Sequence, residues 1–339
     1  MRGHGGLDQL AHATVPAPEI TDPHQVRVRL KASALNHLDL WTLKGLPGLT
    51  LPFPHILGGD GAGEVESVGS GVTRLAPGDR VLFNPGISCF ACEWCGRGEH
   101  SLCTSYRLLG EHVPGTLAEY IVLPEQNVEK FPRADLTFPG AAAYSLVALT
   151  AWRMLANRAA LQPGETALIW GVGGGVSSMA VQVAKLLGAR VIVTSSSDAK
   201  LAAARDLGAD VTLNHARVDV TKEVRTVTGK RGVDVVVENV GEATWDATMR
   251  VLGRLGRVVT CGGTTGPMVT VDIRRVFWFQ HAILGSTMGS QSEYRKVVAL
   301  LGERKLTPMV DSTVPFDRAI EAFERLEAGR QMGKVVVEI

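Results

Sequence analysis

The sequence has little of several features that define specialised protein classes. Only five cysteines occur among 339 residues, aromatic residues make up 6%, and the formal net charge is +1. The scarcity of cysteine argues against a disulfide-rich scaffold, and the near-zero charge provides no attraction to nucleic acid or to an anionic membrane. The longest apolar stretches, around 139–149 and 233–237, are shorter than a membrane span. We therefore expect neither nucleic acid nor a membrane as a partner.

A secretory signal is also missing, because residues 1–6 contain no apolar run. Together with the few cysteines, this predicts a cytoplasmic protein in a reducing compartment. Apolar residues make up 45% and charged residues 20%, as in globular proteins. A chain of 339 residues is long for one core, so two domains are expected.

Four of the five cysteines lie close together in the chain. Cys89, Cys92, Cys95 and Cys103 follow the pattern C-x2-C-x2-C-x7-C. Four thiolates can surround one tetrahedral Zn²⁺ and leave no position for water or substrate, so the pattern predicts a structural zinc site and not a catalytic one. The alternative, a pair of disulfides, is disfavoured in a large chain without a signal peptide. Cys261 follows an apolar run and is predicted to be a buried strand residue.

The pattern of apolar residues divides the chain into two kinds of segment. Up to about residue 132, short β-like runs at 25–31, 63–68, 80–83 and 117–122 are separated by Gly- and Pro-containing turns. This part resembles an irregular β domain. Residues 141–155 form a helical pattern. Two more helices, 294–302 and 317–329, and a strand, 334–339, are predicted near the end of the chain.

Between these parts, strands alternate regularly with helices. The expected strands are 166–170, 190–194, 211–213, 233–238 and 257–261, and the expected helices are 176–187, 198–207, 221–228 and 243–252. Asp198 is the predicted N-cap of the second of these helices, and Gly208 follows its end. Such alternation predicts βαβ units, and hence a parallel sheet covered on both faces.

A glycine-rich turn connects the first of these strands to the first helix. Its residues are Gly171, Gly173, Gly174, Gly175 and Val176. Glycine allows a tight turn and a close approach of backbone amides to a pyrophosphate, and the following helix N-terminus favours negative charge. The spacing approaches G-x-G-x-x-G in one register, and in another it places Ser177 where the helix packs on the sheet. The turn therefore predicts dinucleotide binding.

The end of the next strand bears on the choice of dinucleotide. NAD sites usually carry an acidic residue there for the ribose 2′-hydroxyl, but this sequence has Ser195 and Ser196. These hydroxyls leave room for a 2′-phosphate, and Lys200 and Arg205 in the next helix are expected to reach it. We therefore predict NADP(H) in preference to NAD(H).

These motifs together resemble the medium-chain dehydrogenase/reductase family of zinc alcohol dehydrogenases and quinone oxidoreductases. The resemblance rests on segments 34–39, 58–65, 77–81, the cysteine cluster, 118–120, the glycine turn, 232–236 and 333–336. It implies an α/β fold with a GroES-like β domain, 1–147 and 285–339, that contains a zinc lobe at 87–105. A Rossmann domain with a doubly wound parallel sheet, 148–284, is inserted in it, with the active cleft at the junction. The family also implies a homodimer or homotetramer with a small-molecule substrate.

The sequence departs from this family where the catalytic zinc would be bound. Alignment of the motifs puts Asn36, Gly59 and Leu146 at the three ligand positions, and Leu38 where the family carries a proton-relaying hydroxyl. None of these side chains is a usual zinc ligand. Asn at the first position is typical of the quinone oxidoreductase branch, which lacks catalytic zinc.

The resemblance therefore implies an enzyme that uses NADPH to reduce activated C=C bonds or quinones without catalytic zinc. Asn36 is the candidate donor to the developing oxyanion, Tyr144 a candidate acid or donor, and Asp60 a remnant of the metal's surroundings. Further cofactor contacts are expected from His37, Thr150, Val240 and Lys334.

Each of these residues also has a purely structural interpretation. Asn36 and Asp60 are compatible with loop stabilisation, Tyr144 with core packing, and His37 and Lys334 with ordinary surface positions. Two other functions also stay open: a zinc-type alcohol dehydrogenase with a rebuilt site, and a non-catalytic NADPH-binding protein. A rebuilt metal site would draw on His37, Asp39, His55 and Asp60.

Overall fold

A computed structural model describes residues 1–339, which divide into two compact units. The first unit comprises Met1–Val147 and Ser290–Ile339, and the second comprises Ala148–Gly289. The chain thus returns to the first unit at Ser290 and not at the expected residue 285. None of the helices is both long enough and apolar enough to cross a membrane.

The first part of the first unit is mostly β-structure with short helices. Its elements are β1 (Gln25–Ala34), α1 (His37–Lys44), β2 (Asp60–Val68), β3 (Arg80–Phe83), β4 (Gly86–Ile87), α2 (Glu93–Gly96), β5 (Arg107–Leu108), β6 (Tyr120–Pro124), β7 (Val128–Lys130), α3 (Phe138–Ala142) and α4 (Ser145–Trp152). Single 3₁₀ turns lie at Leu7–Gln9, His100–Leu102 and Glu125–Asn127. The boundary between the units falls within α4.

The second unit alternates strands and helices. After a π-helical segment, Arg153–Arg158, come β8 (Thr166–Ile169), α5 (Gly175–Leu186), β9 (Arg190–Ser195), α6 (Asp198–Asp206), β10 (Val211–Asn214), α7 (Val220–Val227), β11 (Val233–Glu238), α8 (Glu242–Val251), β12 (Leu252–Thr260), α9 (Ile273–Phe279) and β13 (Ala282–Gly285). The chain then completes the first unit with α10 (Gln291–Gly302), β14 (Val310–Pro315), a 3₁₀ turn at Phe316–Arg318, α11 (Ala319–Glu327) and β15 (Lys334–Glu338).

The sheet of the first unit brings distant parts of the chain side by side. Its strand order is β14-β15-β1-β2-β3-β7, with β6 also paired to β1. The antiparallel register places Ala34 of β1 opposite Asp60 of β2 and opposite Val336 of β15. The beginnings of β2 and β15 therefore meet at the end of β1, and this position carries the polar cluster described below.

The six strands of the second unit are all parallel, in the order β10-β9-β8-β11-β12-β13. Their central strands β8 and β11 are buried along their whole lengths, as expected for a sheet covered on both faces. This is the doubly wound order, in which ligands bind outside the carboxyl ends of the strands where the order reverses. Here the reversal lies between β8 and β11, and the glycine turn directly follows β8.

Most of the predicted strands and helices are present in the structure, but several of their boundaries differ from the prediction. The strand expected at 117–122 is Tyr120–Pro124, and the single helix expected at 141–155 is divided into α3, α4 and the π-helical segment. Asp198 is not the N-cap of α6: the hydroxyl of Ser197 accepts the hydrogen bond from the Lys200 amide. Gly208 does follow the helix with a positive φ of 103°.

Candidate functional site

The four clustered cysteines form a compact sulfur site in the first unit. The Sγ atoms of Cys89 and Cys103 are 3.4 Å apart, those of Cys92 and Cys95 are 3.6 Å apart, and all four lie within 4.8 Å of one another. A tetrahedral ion with metal–sulfur bonds of about 2.3 Å requires sulfur separations of roughly 3.8 Å. The cluster therefore fits one zinc ion held by four thiolates.

Backbone hydrogen bonds to the sulfur atoms also favour the thiolate form of these cysteines. The amides of Cys89 and Cys92 donate to the sulfurs of Cys103 and Cys89, at 3.2 and 3.3 Å. Such hydrogen bonds stabilise sulfur that carries negative charge. With four protein ligands, an ion there has no open coordination position, so the site would stabilise this loop and would not activate a substrate.

A second polar cluster lies at the end of β1 and contains Asn36, Asp60 and Lys334. The Lys334 ammonium is 2.9 Å from Asp60 Oδ2 and also donates to Asn36 Oδ1. The side-chain amide of Asn36 donates in turn to Asp60 Oδ2 at 3.0 Å. The Lys334 and Asp60 side chains are only 3% and 0% exposed, so this ion pair is shielded from water. Its charges are satisfied by each other and by hydrogen bonds, as burial requires.

This position corrects the surface interpretation of Lys334. In the structure the ammonium is buried and bound to Asn36 and Asp60. Its contact with cofactor phosphates stays a prediction. The sequence interval of 274 residues between Lys334 and Asp60 explains why no local pattern could reveal the pair.

The three positions aligned with zinc ligands converge beside this ion pair. A Cβ atom placed on Gly59 would lie 3.7 Å from Asn36 Nδ2 and 3.5 Å from Leu146 Cδ1. The Leu146 amide donates to Asp60 Oδ1 at 2.8 Å. The site therefore keeps the geometry that gathers three ligands, but its side chains are an amide, a hydrogen and an isobutyl group. They do not fit a zinc ion.

Asp39 supports the same region from α1. Its carboxylate accepts hydrogen bonds from the backbone amide of Asn36 at 2.7 Å and from the backbone amide of Gly58 at 2.8 Å. With Asn36 it forms a capping box at the start of α1. Burial raises the pKa of Asp39 to about 6, against the lowering effect of those amides and of Lys334. Asp39 thus fixes the backbone on both sides of the polar cluster.

The two histidines of the possible rebuilt metal site do not join that cluster. Burial lowers the pKa of His37, with further lowering by Lys334 and Lys44. The ring of His55 is 3.1 Å from the Gly110 carbonyl oxygen, and burial lowers its pKa also. The four cysteines are the one group of three or more potential metal-binding side chains that the structure brings together. The set His37, Asp39, His55 and Asp60 is therefore not assembled as a metal site.

Tyr144 is not a free donor, which corrects the expectation that it acts as an acid. Its side chain is fully buried, and its hydroxyl donates to the Val297 carbonyl at 2.6 Å. Burial raises its pKa far above the ordinary value. A phenol held in this way packs the first unit and cannot readily lose its proton.

In the second unit, the glycine turn has the conformation expected of a phosphate-binding loop. Gly171 has a φ of 62°, Gly174 is the N-cap, and Gly175 begins α5. The Lys200 side chain lies over the turn, since a Cβ on Gly173 would be 3.1 Å from its Nζ atom. Free amides, a helix N-terminus and an ammonium thus meet at one place, an arrangement suited to a pyrophosphate.

The other predicted cofactor contacts are distributed around this turn. A Cβ on Gly171 would lie 3.8 Å from Val240, which follows β11. Ser195 ends β9 and is buried, whereas Ser196 is exposed. Arg205 is directed elsewhere, because its guanidinium donates to the Thr212 hydroxyl at 2.5 Å. Thr150 is buried and its hydroxyl is 3.7 Å from the sulfur of Met288.

Sequence reasoning missed one residue that organises this region, Glu238. It is fully buried at the end of β11, and its carboxylate accepts from the amides of Val240 and Gly241, at 2.7 and 3.1 Å, and from two threonine hydroxyls. One of them, Thr248, accepts from the indole of Trp170 just before the glycine turn. Glu238 thus connects the two loops at the reversal point. A carboxylate that ends β11 directly after three consecutive valines was the signal for it.

Comparison with known proteins agrees with this architecture. Residues 22–133 match the family described as alcohol dehydrogenase GroES-like domain, and residues 175–303 match the family described as zinc-binding dehydrogenase. A zinc-type alcohol dehydrogenase-like protein of Schizosaccharomyces pombe is 34% identical over 98% of this chain and 96% of its own length.

Two further similarities differ in the chemistry that their names describe. A solved structure named as NAD-dependent alcohol dehydrogenase is 46% identical, with a TM-score of 0.96, over 100% of this chain and 98% of its own. An acryloyl-coenzyme A reductase of Metallosphaera sedula is 30% identical over 94% of this chain and 95% of its own length. The proteins similar to this chain therefore include one named as an alcohol dehydrogenase and one named as an acryloyl-coenzyme A reductase.

Proposed function

Because the chain belongs to the medium-chain, zinc-type alcohol dehydrogenase-like superfamily, we propose that it is an NADPH-dependent reductase of activated C=C bonds or quinones that uses no catalytic zinc. Enones, enals, quinones and short enoyl-CoA thioesters are the substrate classes. The four-cysteine cluster holds its one zinc ion.

The observation that carries this proposal is the buried Lys334–Asp60 ion pair beside Asn36, Gly59 and Leu146. The Lys334 ammonium occupies the two acceptor atoms, Asn36 Oδ1 and Asp60 Oδ2, that a metal ion in this position would need as ligands. A metal in this position would therefore have to displace or deprotonate Lys334, with only poor ligands in return. The residues favour a metal-free reaction.

Reduction of a conjugated alkene suits such a site better than oxidation of an alcohol. An unactivated alcohol must lose a hydroxyl proton, and the aligned residues Asn36, Gly59 and Leu146 are not a ligand set for the metal ion that usually lowers the pKa of that hydroxyl. A conjugated alkene instead accepts a hydride at its β-carbon from the reduced nicotinamide, and negative charge develops on the carbonyl oxygen. Hydrogen-bond donors suffice to stabilise that charge.

The preference for NADPH is supported by the surroundings of the glycine turn. Exposed Ser196 follows β9 where an acidic residue would repel a 2′-phosphate, and the Lys200 ammonium lies over Gly173. The nearest carboxylate, Asp198, is already engaged by Arg217 at 2.8 Å and by Asn214 at 2.6 Å.

A substrate panel with and without a chelator tests the proposal. Purified protein should reduce at least one enone, enal, quinone or enoyl-CoA with NADPH, and the activity should persist under chelation that leaves the structural ion in place. Metal analysis on the same sample should give one zinc per chain. Two zinc ions per chain, or turnover restricted to alcohols and aldehydes, would contradict the proposal.

An alcohol dehydrogenase is the second candidate, favoured by the 46% identical structure of that name. It predicts oxidation of alcohols with NAD⁺ or NADP⁺ and loss of that activity when the chelator removes a second metal ion. The two candidates therefore differ in substrate, in metal content and in the response to chelation.

The proposed oligomer is a homodimer or homotetramer, and an edge of the second unit suits it. β13 is the last strand of the parallel sheet, and Ile283 on it is 42% exposed. On the neighbouring helix α9, Ile273, Phe277 and Trp278 are 66%, 64% and 68% exposed. An unpaired strand edge beside several large apolar side chains is a surface that a second copy can cover.

A further inference from the structure

We propose that the ammonium of Lys334 binds the carbonyl oxygen of the substrate and carries the negative charge that develops there, in the position a catalytic metal would take. This inference rests on the proposed function and narrows its substrates to carbonyl-conjugated alkenes, such as enones, enals and enoyl thioesters. It assigns Lys334 a contact with substrate where the sequence suggested one with cofactor phosphates.

The charge of Lys334 lies beside the three positions that align with metal ligands. Asn36, Gly59 and Leu146 converge as metal ligands would, and the Lys334 ammonium donates to the Asn36 side chain at that point. Gly59 contributes no side chain, so this position offers the ammonium no further acceptor. A single positive charge therefore stands where an electrophile is needed.

Lys334 has one more hydrogen-bond donor than its two partners use. A lysine ammonium has three N–H groups. Asn36 Oδ1 and Asp60 Oδ2 accept from two of them. The third remains for a substrate oxygen, while the first two fix the direction in which it points. Asp60 is held in turn by the Leu146 amide, so the ammonium has a rigid support.

The other possible donors to a substrate oxygen are already engaged. The Asn36 amide donates to Asp60 Oδ2 at 3.0 Å and toward the Ala34 carbonyl at 3.4 Å. The Tyr144 hydroxyl donates to the Val297 carbonyl. His37 has a lowered pKa, so near neutral pH it offers a hydrogen bond without a charge. Lys334 is the charged donor of the cluster.

The chemical step balances with NADPH as reductant and water as the source of the proton. The β-carbon accepts a hydride, which forms the new C–H bond and leaves oxidised NADP⁺. The alkene electron pair shifts to the α-carbon–carbonyl bond, and the carbonyl pair moves onto oxygen, where Lys334 donates its hydrogen bond. The enolate then takes a proton from water at the α-carbon, and the hydroxide left behind is neutralised by solvent.

The test compares Lys334→Gln with the wild type in kcat, in KM and in the dissociation constant of NADPH, measured by quenching of protein fluorescence. Loss of one donor to an oxyanion typically lowers kcat by about 10²- to 10³-fold. We expect a loss of that size for an enone, with NADPH affinity changed less than about threefold. Lys334→Arg should recover part of the rate, since it keeps the charge.

A matched control is Lys130→Gln, which removes an exposed lysine that pairs with Asp79 in the same unit. It should leave kcat unchanged. If Lys334→Gln unfolds because Asp60 is left unpaired, the double variant Lys334→Gln/Asp60→Asn removes both charges and gives the same comparison.

Two outcomes would overturn the inference. One is a kcat near the wild-type value at saturating NADPH, and the other is a tenfold or larger weakening of NADPH binding that accounts for the lost activity, as expected for a phosphate contact. Failure of the wild-type protein to reduce any conjugated carbonyl compound would instead refute the proposed function. The two failures are therefore distinguishable.

Discussion

Replacement of Asp60 by asparagine should destabilise the first unit strongly. Asp60 receives three donors: the Lys334 ammonium and the Asn36 amide on Oδ2, and the Leu146 amide on Oδ1. Asparagine has the same shape but one carbonyl oxygen. Whichever way the new amide is turned, its NH₂ group faces at least one of these donors, and the buried ammonium loses its counterion.

The expected effect follows from the burial of the pair. Removing one partner of a buried ion pair typically lowers the free energy of unfolding by about 3–5 kcal/mol, because an uncompensated charge remains inside the protein. Lys334 is 3% exposed and Asp60 is fully buried, so solvent screening gives little relief. At roughly 2–4 °C per kcal/mol for a domain of this size, Tm should fall by about 10 °C.

Chemical denaturation followed by far-UV circular dichroism, with a parallel thermal scan, measures this effect. The control is Glu321→Gln, which breaks the exposed ion pair with Arg318, whose side chains are 60% and 49% exposed. That change should lower the free energy of unfolding by less than about 1 kcal/mol. The double variant Asp60→Asn/Lys334→Met should be more stable than Asp60→Asn alone, since it removes the unpaired charge.

A loss below about 1 kcal/mol for Asp60→Asn would refute this reasoning. So would a double variant whose stability is the simple sum of the two single effects. Either result would mean that Lys334 and Asp60 are not paired in solution. The Lys334 ammonium would then not block the position of a metal ion.

The remaining predictions concern other parts of the molecule. Cys95→Ser should abolish zinc binding, measured by elemental analysis, and should lower Tm while kcat of the folded fraction changes less than about threefold; a larger fall in kcat would indicate catalytic zinc. Ser196→Asp should weaken NADPH binding by about 10- to 100-fold and leave NADH binding nearly unchanged, as measured by fluorescence titration; equal losses for both cofactors would contradict the proposed preference. Burial raises the pKa of Asp39 to about 6 from 3.8, so the folded state holds this proton more tightly than the unfolded state does. The resulting stabilisation, up to about 3 kcal/mol in the free energy of unfolding, is complete below about pH 4 and is lost as pH rises through 6. The free energy of unfolding should show this fall with pH in the wild type and not in Asp39→Asn. Trp278→Glu should shift the protein to a smaller species in sedimentation analysis, whereas an unchanged mass would exclude α9 from the subunit interface.

Local patterns allowed the second unit to be predicted with little error. Its strands and helices follow from alternating apolar runs, and the conformation of the turn at Gly171 follows from the need for positive φ after a buried strand. The four-cysteine site was equally accessible, because all its ligands lie within 15 residues of the chain. Errors there lay in one helix cap and at the end of the unit: Ser197 and not Asp198 caps α6, and α9 and β13 were not predicted.

The polar cluster of the first unit was much harder to predict. The position of Lys334 depends on the pairing of β15 with β1, and that pairing joins residues about 300 positions apart in the chain. Tyr144 was misassigned because an aromatic residue with a polar group looks the same in sequence whether its hydroxyl meets a substrate or a backbone carbonyl. Glu238 of the second unit was overlooked for another reason: the sequence places a carboxylate at the end of β11, but only the folded structure shows that amides and hydroxyls of the following loop and helix surround it.

The place of β15 in the first sheet also bears on how the protein is made. Until residues 334–338 leave the ribosome, residues 32–34 of β1 have no strand on the side that β15 later covers, and Asp60 has no counterion. The whole second unit is synthesised during that interval. The sheet of the first unit therefore stays incomplete while the second unit is translated. During that time the unpaired edge of β1 can pair with other chains, so the nascent protein depends on protection of this edge against aggregation.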